Sequence, residues 1–428
     1  MELRQNKFFN YFQKYGSSVG LYFSASLIPM LLNMVINPLI AMNMTPEDYA
    51  IVGYYTAFNT LISPIILFYM LHFYNKCFFE LNEKNRLMLK ATIFKSLIVF
   101  SSILSVLCLL GIVLYSKLFN RDSTIPLFPF VALSVFALPF TGVLSLAQAD
   151  YRMHRKAQSF FKITVSYGIT QIILILLLVV MLKWGATGKL LAALLSNIIY
   201  FIVSCIIYRE LFKIAFNWDI FKDILKFCWP LTIAALLGFF FNGYDKVFLE
   251  RLGDNTELGY YTVGVSIAGY ITVFQTAISS TFQPDVYEAV VRRDKHRLFK
   301  VVGVMTGGTT IIVLLFIVCA PLIIDILTAS RYMESVSYAQ IVALSTLTSM
   351  VYYSASQIII ALGYTKLTML NKIISTILAI ALFSILIDKF QFIGAAWGLV
   401  GVNLISATGI FILYIILRHG FTNIKNRR

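Results

Sequence analysis

Lys95, Asp245, Lys246 and Lys372 are among the ionisable side chains that interrupt otherwise apolar stretches, and their types define the chemistry this chain can carry. An ammonium group in such a setting offsets its desolvation by pairing with an anion such as phosphate, or it snorkels its long stem out to the lipid headgroups. Both readings stand for Lys95 and Lys372. Lys95 lies five residues beyond Lys90, about 7 to 8 Å deeper along a helix. Lys246 falls near the far end of its stretch, and Glu250, one turn on, offers it an i, i+4 partner. Asp245 differs: its stem is short, Lys246 points about 100° away, and Asn242 sits one turn back. That carboxylate is a candidate for taking up a proton or a cation, with a bond to a neighbouring helix as the alternative.

Neutral polar groups share these stretches. Asn33, Asn37, Asn59, Gln171, Asn197, Gln275, Gln357, Asn371 and Asn403 suit the hydroxyls of a sugar, and they suit interhelical hydrogen bonds equally. Asn33, Asn37 and Asn242, in the first and seventh stretches, rank as substrate-binding candidates beside the lysines.

Enzyme chemistry finds no foothold. Cys77, Cys108, Cys205, Cys228 and Cys319 are odd in number and scattered, with no close pair to grip a metal or exchange disulfides. No HExxH, GxSxG, Walker-type or GxGxxG element stands between a strand-like and a helix-like segment. No catalytic residue, cofactor or metal is expected.

The elements holding these side chains are long and apolar. With 59% hydrophobic and 13% charged residues the chain would be insoluble as a globule, so lipid must cover what water normally covers. Twelve spans are predicted, at 17–42, 49–71, 89–115, 126–148, 160–182, 187–208, 228–251, 259–283, 299–325, 336–362, 366–387 and 393–417. With basic residues inside a span assigned to the loop at its nearer end, Lys and Arg number 26 on the amino-terminal side and the alternate loops, against 8 on the opposite loops, and Lys95 is set apart. This asymmetry predicts that both termini are cytoplasmic, which requires an even number of crossings. The net charge of +15 is dispersed over seven short cytoplasmic segments rather than one stripe, so anionic headgroups rather than nucleic acid are its partners. Residues 1–26 lack a short apolar core ending in a cleavage site, and the first span is expected to stay attached.

Internal similarity suggests two halves. Gly53-Tyr54-Tyr55-Thr56 returns 206 residues later as Gly259-Tyr260-Tyr261-Thr262. Arg86-Leu87 and Lys90 are likewise matched by Arg297-Leu298 and Lys300. Six spans per half make the repeat parallel. The expected fold is therefore all-α and integral to the membrane, with about twelve helices in two parallel six-helix lobes around a central cavity. The divisions are an interfacial segment at 1–16, a lobe at 17–208, an amphipathic linker at 209–227, a lobe at 228–417 and a basic tail at 418–428. In the segments ahead of each lobe, Phe8, Phe9 and Phe12 oppose Lys7, Asn10 and Lys14, and Phe221, Ile224 and Leu225 oppose Lys222, Asp223 and Lys226. Such segments are expected to lie flat at the cytoplasmic interface.

Several short motifs in order carry a family resemblance: Thr45-Pro46-Glu47-Asp48-Tyr49, Gln148-Ala149-Asp150-Tyr151-Arg152, Leu252-Gly253-Asp254 with Glu257-Leu258-Gly259-Tyr260-Tyr261, Phe282-Gln283-Pro284, and Ala361-Leu362-Gly363-Tyr364-Thr365-Lys366. With this layout the chain resembles the polysaccharide (O-antigen, Wzx-type) flippases of the multidrug/oligosaccharidyl-lipid/polysaccharide superfamily, over almost its full length. It departs from them in having Ala50 where the family's turn usually has Gly; that register would place Ala50, not Gly53, opposite Gly259. The first span also offers only Asn33 and Asn37 where drug-exporting relatives often carry an acidic residue.

The resemblance implies a MATE-like fold and a flippase that moves a polyprenyl-pyrophosphate-linked oligosaccharide to the periplasmic leaflet of a bacterial inner membrane by alternating access. Lys95 and Lys372 would then meet the pyrophosphate. Membrane lipids, and beyond them a polysaccharide polymerase and chain-length machinery, are the implied partners. The alternative is a multidrug or small-solute antiporter on the same architecture; a membrane polysaccharide polymerase fits less well, because the outer loops are short.

Overall fold

The computed structural model describes residues 21, 24–25, 27–78, 80–119, 123–362 and 365–425. These residues are overwhelmingly helical, and no strand occurs among them. The expected interfacial segment at 1–16 lies outside them, as do residues 426–428 of the tail.

The chain runs through α1 (Leu27–Asn43), α2 (Pro46–Leu67), α3 (Met70–Cys77), α4 (Glu83–Phe119), α5 (Phe130–Met153), α6 (Ala157–Ile175, extended by a π-helical turn, Leu176–Met181) and α7 (Gly185–Ile207). There follow α8 (Trp218–Leu236), α9 (Phe239–Asn242), α10 (Tyr244–Leu249), α11 (Asn255–Ala268), α12 (Ile271–Val291), α13 (Lys295–Thr328), α14 (Ser335–Ala361) and α15 (Thr365–Lys425). Among the described residues, nine helices are long and apolar enough to cross a bilayer. The shorter α1, α14, which carries no Lys, Arg, Asp or Glu, and a break in α15 at Gln391 (φ 49°, ψ −127°) are the elements left for the remaining crossings of the predicted twelve. Apolar side chains face outward along them: on α13, Ile311, Leu314, Leu315, Val318 and Leu322 are all more than half exposed. A contiguous row of that kind is a surface for lipid, and the protein is a multi-pass membrane protein.

The described residues fall into two compact units, one within Met1–Thr45, Leu61–Asp122 and Pro126–Ile233, the other within Pro46–Thr60, Ser123–Ile125 and Ala234–Arg428. The first is built on a core that includes Tyr74, Phe94, Leu97, Leu146, Ile224 and Cys228. Asp150, at the end of α5, ties this core together. It accepts from Tyr74 Oη of α3 at 2.5 Å, Lys90 Nζ of α4 at 3.0 Å and Tyr208 Oη at 2.8 Å. His154 Nδ1 stands 3.2 Å from the same carboxylate. With three donors on its oxygens, a buried charge is tolerated.

The predicted linker, 209–227, carries two helical elements. Arg209–Lys213 form a 3-10 turn, and Asn217 caps α8 by accepting from Asp219 N and Ile220 N at 3.0 Å each. Nothing between Trp218 and Leu236 stops the helix, since Pro230 is tolerated, so the amphipathic stretch and the start of span seven are one helix. Phe221 and Ile224 bury their side chains, while Lys222 and Asp219 pair in solvent.

In the second unit the start of α2 packs on α11. Both helices begin on recognisable signals: Pro46 opens α2, and Asp254 caps α11 by accepting from Glu257 N at 2.9 Å. A Cβ on Gly259 would stand 1.9 Å from Pro46 O, so only glycine permits this approach. Thr256 Oγ1 donates to Glu47 Oε1 at 2.6 Å, and Gly53 lies directly against Thr262. Both pairs, and the two helix starts, are separated by 209 residues. The 206-residue match of the Gly-Tyr-Tyr-Thr motifs is therefore out of register by three, and Ala50 is the counterpart of Gly259.

Candidate functional site

Span seven, expected to be continuous over 228–251, is interrupted twice. The helix stops at Leu236, resumes as α9, and is broken again at Gly243 (φ −155°, ψ −20°) before α10. Glycine is required there because a Cβ would stand 2.6 Å from Thr60 Oγ1 and 3.1 Å from Ala57 O on α2. Interrupted spans expose backbone polar groups inside the membrane, which is where transport proteins place their sites. Asn242 Nδ2 donates to Gly238 O at 3.2 Å, a carbonyl that also accepts from Phe241 N at 3.1 Å.

Around this break the structure gathers four of the predicted residues. Asn242 is exposed, and Lys246 is half-buried on α10. Lys372, from α15, places its Nζ 3.2 Å from the centroid of the Phe241 ring, a cation–π contact that holds the ammonium at the interruption. Asp245 is 2% exposed; its Oδ2 accepts from Tyr261 Oη at 2.6 Å, and its Oδ1 is buried without a hydrogen-bond partner among the described residues. One oxygen of a buried carboxylate is thus held in place while the other stays available for a proton or a cation. Glu250, suggested as the partner of Lys246, accepts from Ser123 Oγ at 2.5 Å and Thr124 N at 3.2 Å.

The other predicted residues lie in the first unit. Lys95 Nζ donates to Phe212 O at 3.2 Å and Ile214 O at 2.6 Å, so its ammonium caps the 3-10 turn of the linker. It lines an apolar cavity of about 570 Å³ whose walls include Phe100, Phe212, Phe216, Trp218 and Phe221. On α1, Asn33 Nδ2 donates to Pro29 O at 2.9 Å, and Asn37 follows one turn later. Of the remaining neutral groups, Gln275 bonds Ser349 at 2.7 Å, Gln357 bonds Ser279 at 3.0 Å and Asn197 accepts from Tyr167 at 2.9 Å, all between helices. Among the described residues no three His, Cys, Asp or Glu side chains come together to hold a metal.

Three features escaped the sequence reading. Tyr261 appeared only as part of a repeat, Asp150 only as part of a motif, and span two, predicted at 49–71, is broken after Leu67. Phe68 and Tyr69 adopt positive φ there (48° and 51°). Pro64, inside α2, was the one local signal.

Residues 39–337, more than half of the chain, match the family described as "Polysaccharide biosynthesis protein". A multidrug resistance MATE family transporter of the MOP superfamily, solved facing inward, superposes with a TM-score of 0.67 at 14% identity, covering 93% of this chain and 98% of its own. The lipid II flippase MurJ, in an inward closed conformation, superposes at 0.70 with 15% identity, covering 92% and 87%. These likenesses establish a MATE-like fold. An uncharacterized membrane protein of Haemophilus influenzae is 28% identical over 179 residues, or 38% of this chain and 43% of its own length. The match thus spans less than half of that curated relative.

Proposed function

We propose that this chain, which belongs to the polysaccharide biosynthesis protein family, is a flippase that moves a lipid-linked oligosaccharide, a sugar repeat on polyprenyl pyrophosphate, from the cytoplasmic to the periplasmic leaflet of a bacterial inner membrane. The need for a protein is physical, since sugars and a charged pyrophosphate lose several kcal/mol per unpaired polar group in hydrocarbon. The O-antigen repeat or another polysaccharide repeat unit is the proposed cargo. A polysaccharide polymerase with its chain-length machinery would consume the product.

One observation carries the reading: span seven is interrupted where Lys372 rests on Phe241 and where Asp245 keeps one buried oxygen unpaired. In this proposal Lys372 and Lys246 attract the pyrophosphate, with Lys95 at the loading end, and Asn33, Asn37 and Asn242 meet sugar hydroxyls. Asp245 takes up the coupling ion as the protein alternates access between the two sides. Both termini are cytoplasmic by the charge asymmetry.

Purified protein in liposomes, given a fluorescent polyprenyl-pyrophosphate oligosaccharide, is expected to move it between leaflets. Absence of exchange together with export of cationic dyes would replace the flippase with an antiporter of the same fold.

A further inference from the structure

We infer that the break between α2 and α3 is a binding subsite for the saccharide of the cargo, at the end of the protein where loading begins; this rests on the flippase reading above. The break holds a cavity of about 250 Å³, lined by Ser63, Pro64, Leu67, Tyr69, His72 and Gly142 among others. Its walls mix apolar surface with three hydrogen-bonding side chains, and no Lys, Arg, Asp or Glu lines it among the described residues. A lining without a Lys or Arg suits a polyol better than a phosphate, whose oxygens call for such cations.

The aromatic geometry fits a sugar ring. The Tyr69 and His72 rings have centroids 4.7 Å apart and planes inclined by 32°, so the exposed His72 ring is stacked on Tyr69 and held in place as an aromatic surface. The C–H face of a pyranose packs on such a surface. Its hydroxyls then find Ser63 Oγ, Tyr69 Oη and the His72 ring nitrogens as donors or acceptors. His72 is exposed and so open to an incoming ligand.

The backbone is committed to this arrangement. Phe68 and Tyr69 are consecutive non-glycine residues in the left-handed region, a conformation that persists only where the surroundings over-determine it. Those surroundings are visible: Phe68 N donates to Pro64 O at 3.0 Å, the Phe68 ring packs edge-on against Phe100, and Cys228 Sγ reaches Tyr69 O at 3.5 Å. The place is also appropriate. α2 has 22 residues, about 33 Å of rise, and it enters from the outer side in the predicted topology. The break therefore lies at the cytoplasmic end of the span.

The experiment compares leaflet exchange of two carriers by the full-length protein in liposomes, polyprenyl pyrophosphate with its oligosaccharide and the same lipid without sugar. Its variants are His72→Leu and Ser63→Leu. Each is expected to raise the half-saturating concentration of the sugar-bearing carrier about tenfold. The sugar-free carrier should change less than about twofold, with thermal unfolding as in the wild type. Where either variant folds poorly, Tyr69→Phe, which removes one hydroxyl and keeps the ring, is expected to give about a threefold rise for the sugar-bearing carrier alone. Wild-type values in the folded variants, or equal losses with both carriers, would overturn the subsite. A wild-type protein that exchanges neither carrier would overturn the flippase reading itself, and that result is read before any variant is made.

Discussion

Thr256 donates its hydroxyl to Glu47 Oε1 at 2.6 Å, across 209 positions of sequence. Gly53 and Thr262, in contact on the same pair of helices, have the same separation, and so do the helix starts at Pro46 and Asn255. The second unit is thus assembled where the internal repeat meets its own counterpart. The contact is close because small residues alternate with the hydrogen-bonding ones along α2 and α11.

That closeness can be graded by mutation. Gly259→Ala would push a methyl group to within 1.9 Å of the Pro46 carbonyl, which is backbone and cannot swing aside. Gly53→Ala meets only the Thr262 side chain, at 2.5 Å. Overpacking costs about 1–3 kcal/mol, and the larger loss is expected at Gly259. In detergent, Gly259→Ala should unfold at lower temperature than Gly53→Ala, and Thr262→Ala should relieve only the latter.

Asp245 and Tyr261 can be separated by what each substitution leaves behind. Asp245→Asn keeps an acceptor for the Tyr261 hydroxyl and removes the titrating group. The protein should fold normally while its transport loses dependence on an imposed proton or sodium gradient. Tyr261→Phe instead strips the carboxylate of the hydrogen bond to its Oδ2, at about 1–3 kcal/mol. Its effect should appear in thermal unfolding. Gradient dependence that survives in Asp245→Asn would remove this residue from the coupling step.

Lys95 bears on the linker. Its ammonium joins Phe212 O and Ile214 O to α4, and hydrogen bonds to charged groups contribute about 1.5–3 kcal/mol each, less where solvent reaches them. Lys95→Ala should free the 3-10 turn, so that trypsin cuts at Arg209 and Lys213 several-fold faster than in the wild type. Flipping per molecule should fall with it. Unchanged cleavage would return Lys95 to lipid anchoring or direct contact with the substrate.

Hydropathy and the Lys/Arg pattern made the helices and their number legible, because lipid imposes long apolar runs on any spanning chain. The interruptions were not legible. In span two, Phe68 and Tyr69 are bulky residues in a conformation usually taken by glycine, and only packing against Phe100 and Cys228 explains it. Span seven did carry Gly238 and Gly243, but single glycines are common in membrane helices and predict no break. Of the candidate side chains, Asp245 and Lys372 proved to be neighbours of one interruption. Asp150 was visible only as part of a motif, because its partners Tyr74, Lys90 and Tyr208 lie 76, 60 and 58 positions away.

The partition of α2 bears on how the protein is made. Its residues 46–60 belong with the second unit, whose main body starts at Ala234. A ribosome therefore delivers Glu47 and Gly53 to the bilayer long before Thr256 and Thr262 exist. Until then, the upper part of α2 must wait with its small-residue face uncovered. Insertion is sequential, but completion of that unit is not, and a chain arrested after α7 would leave an early helix without its permanent neighbour.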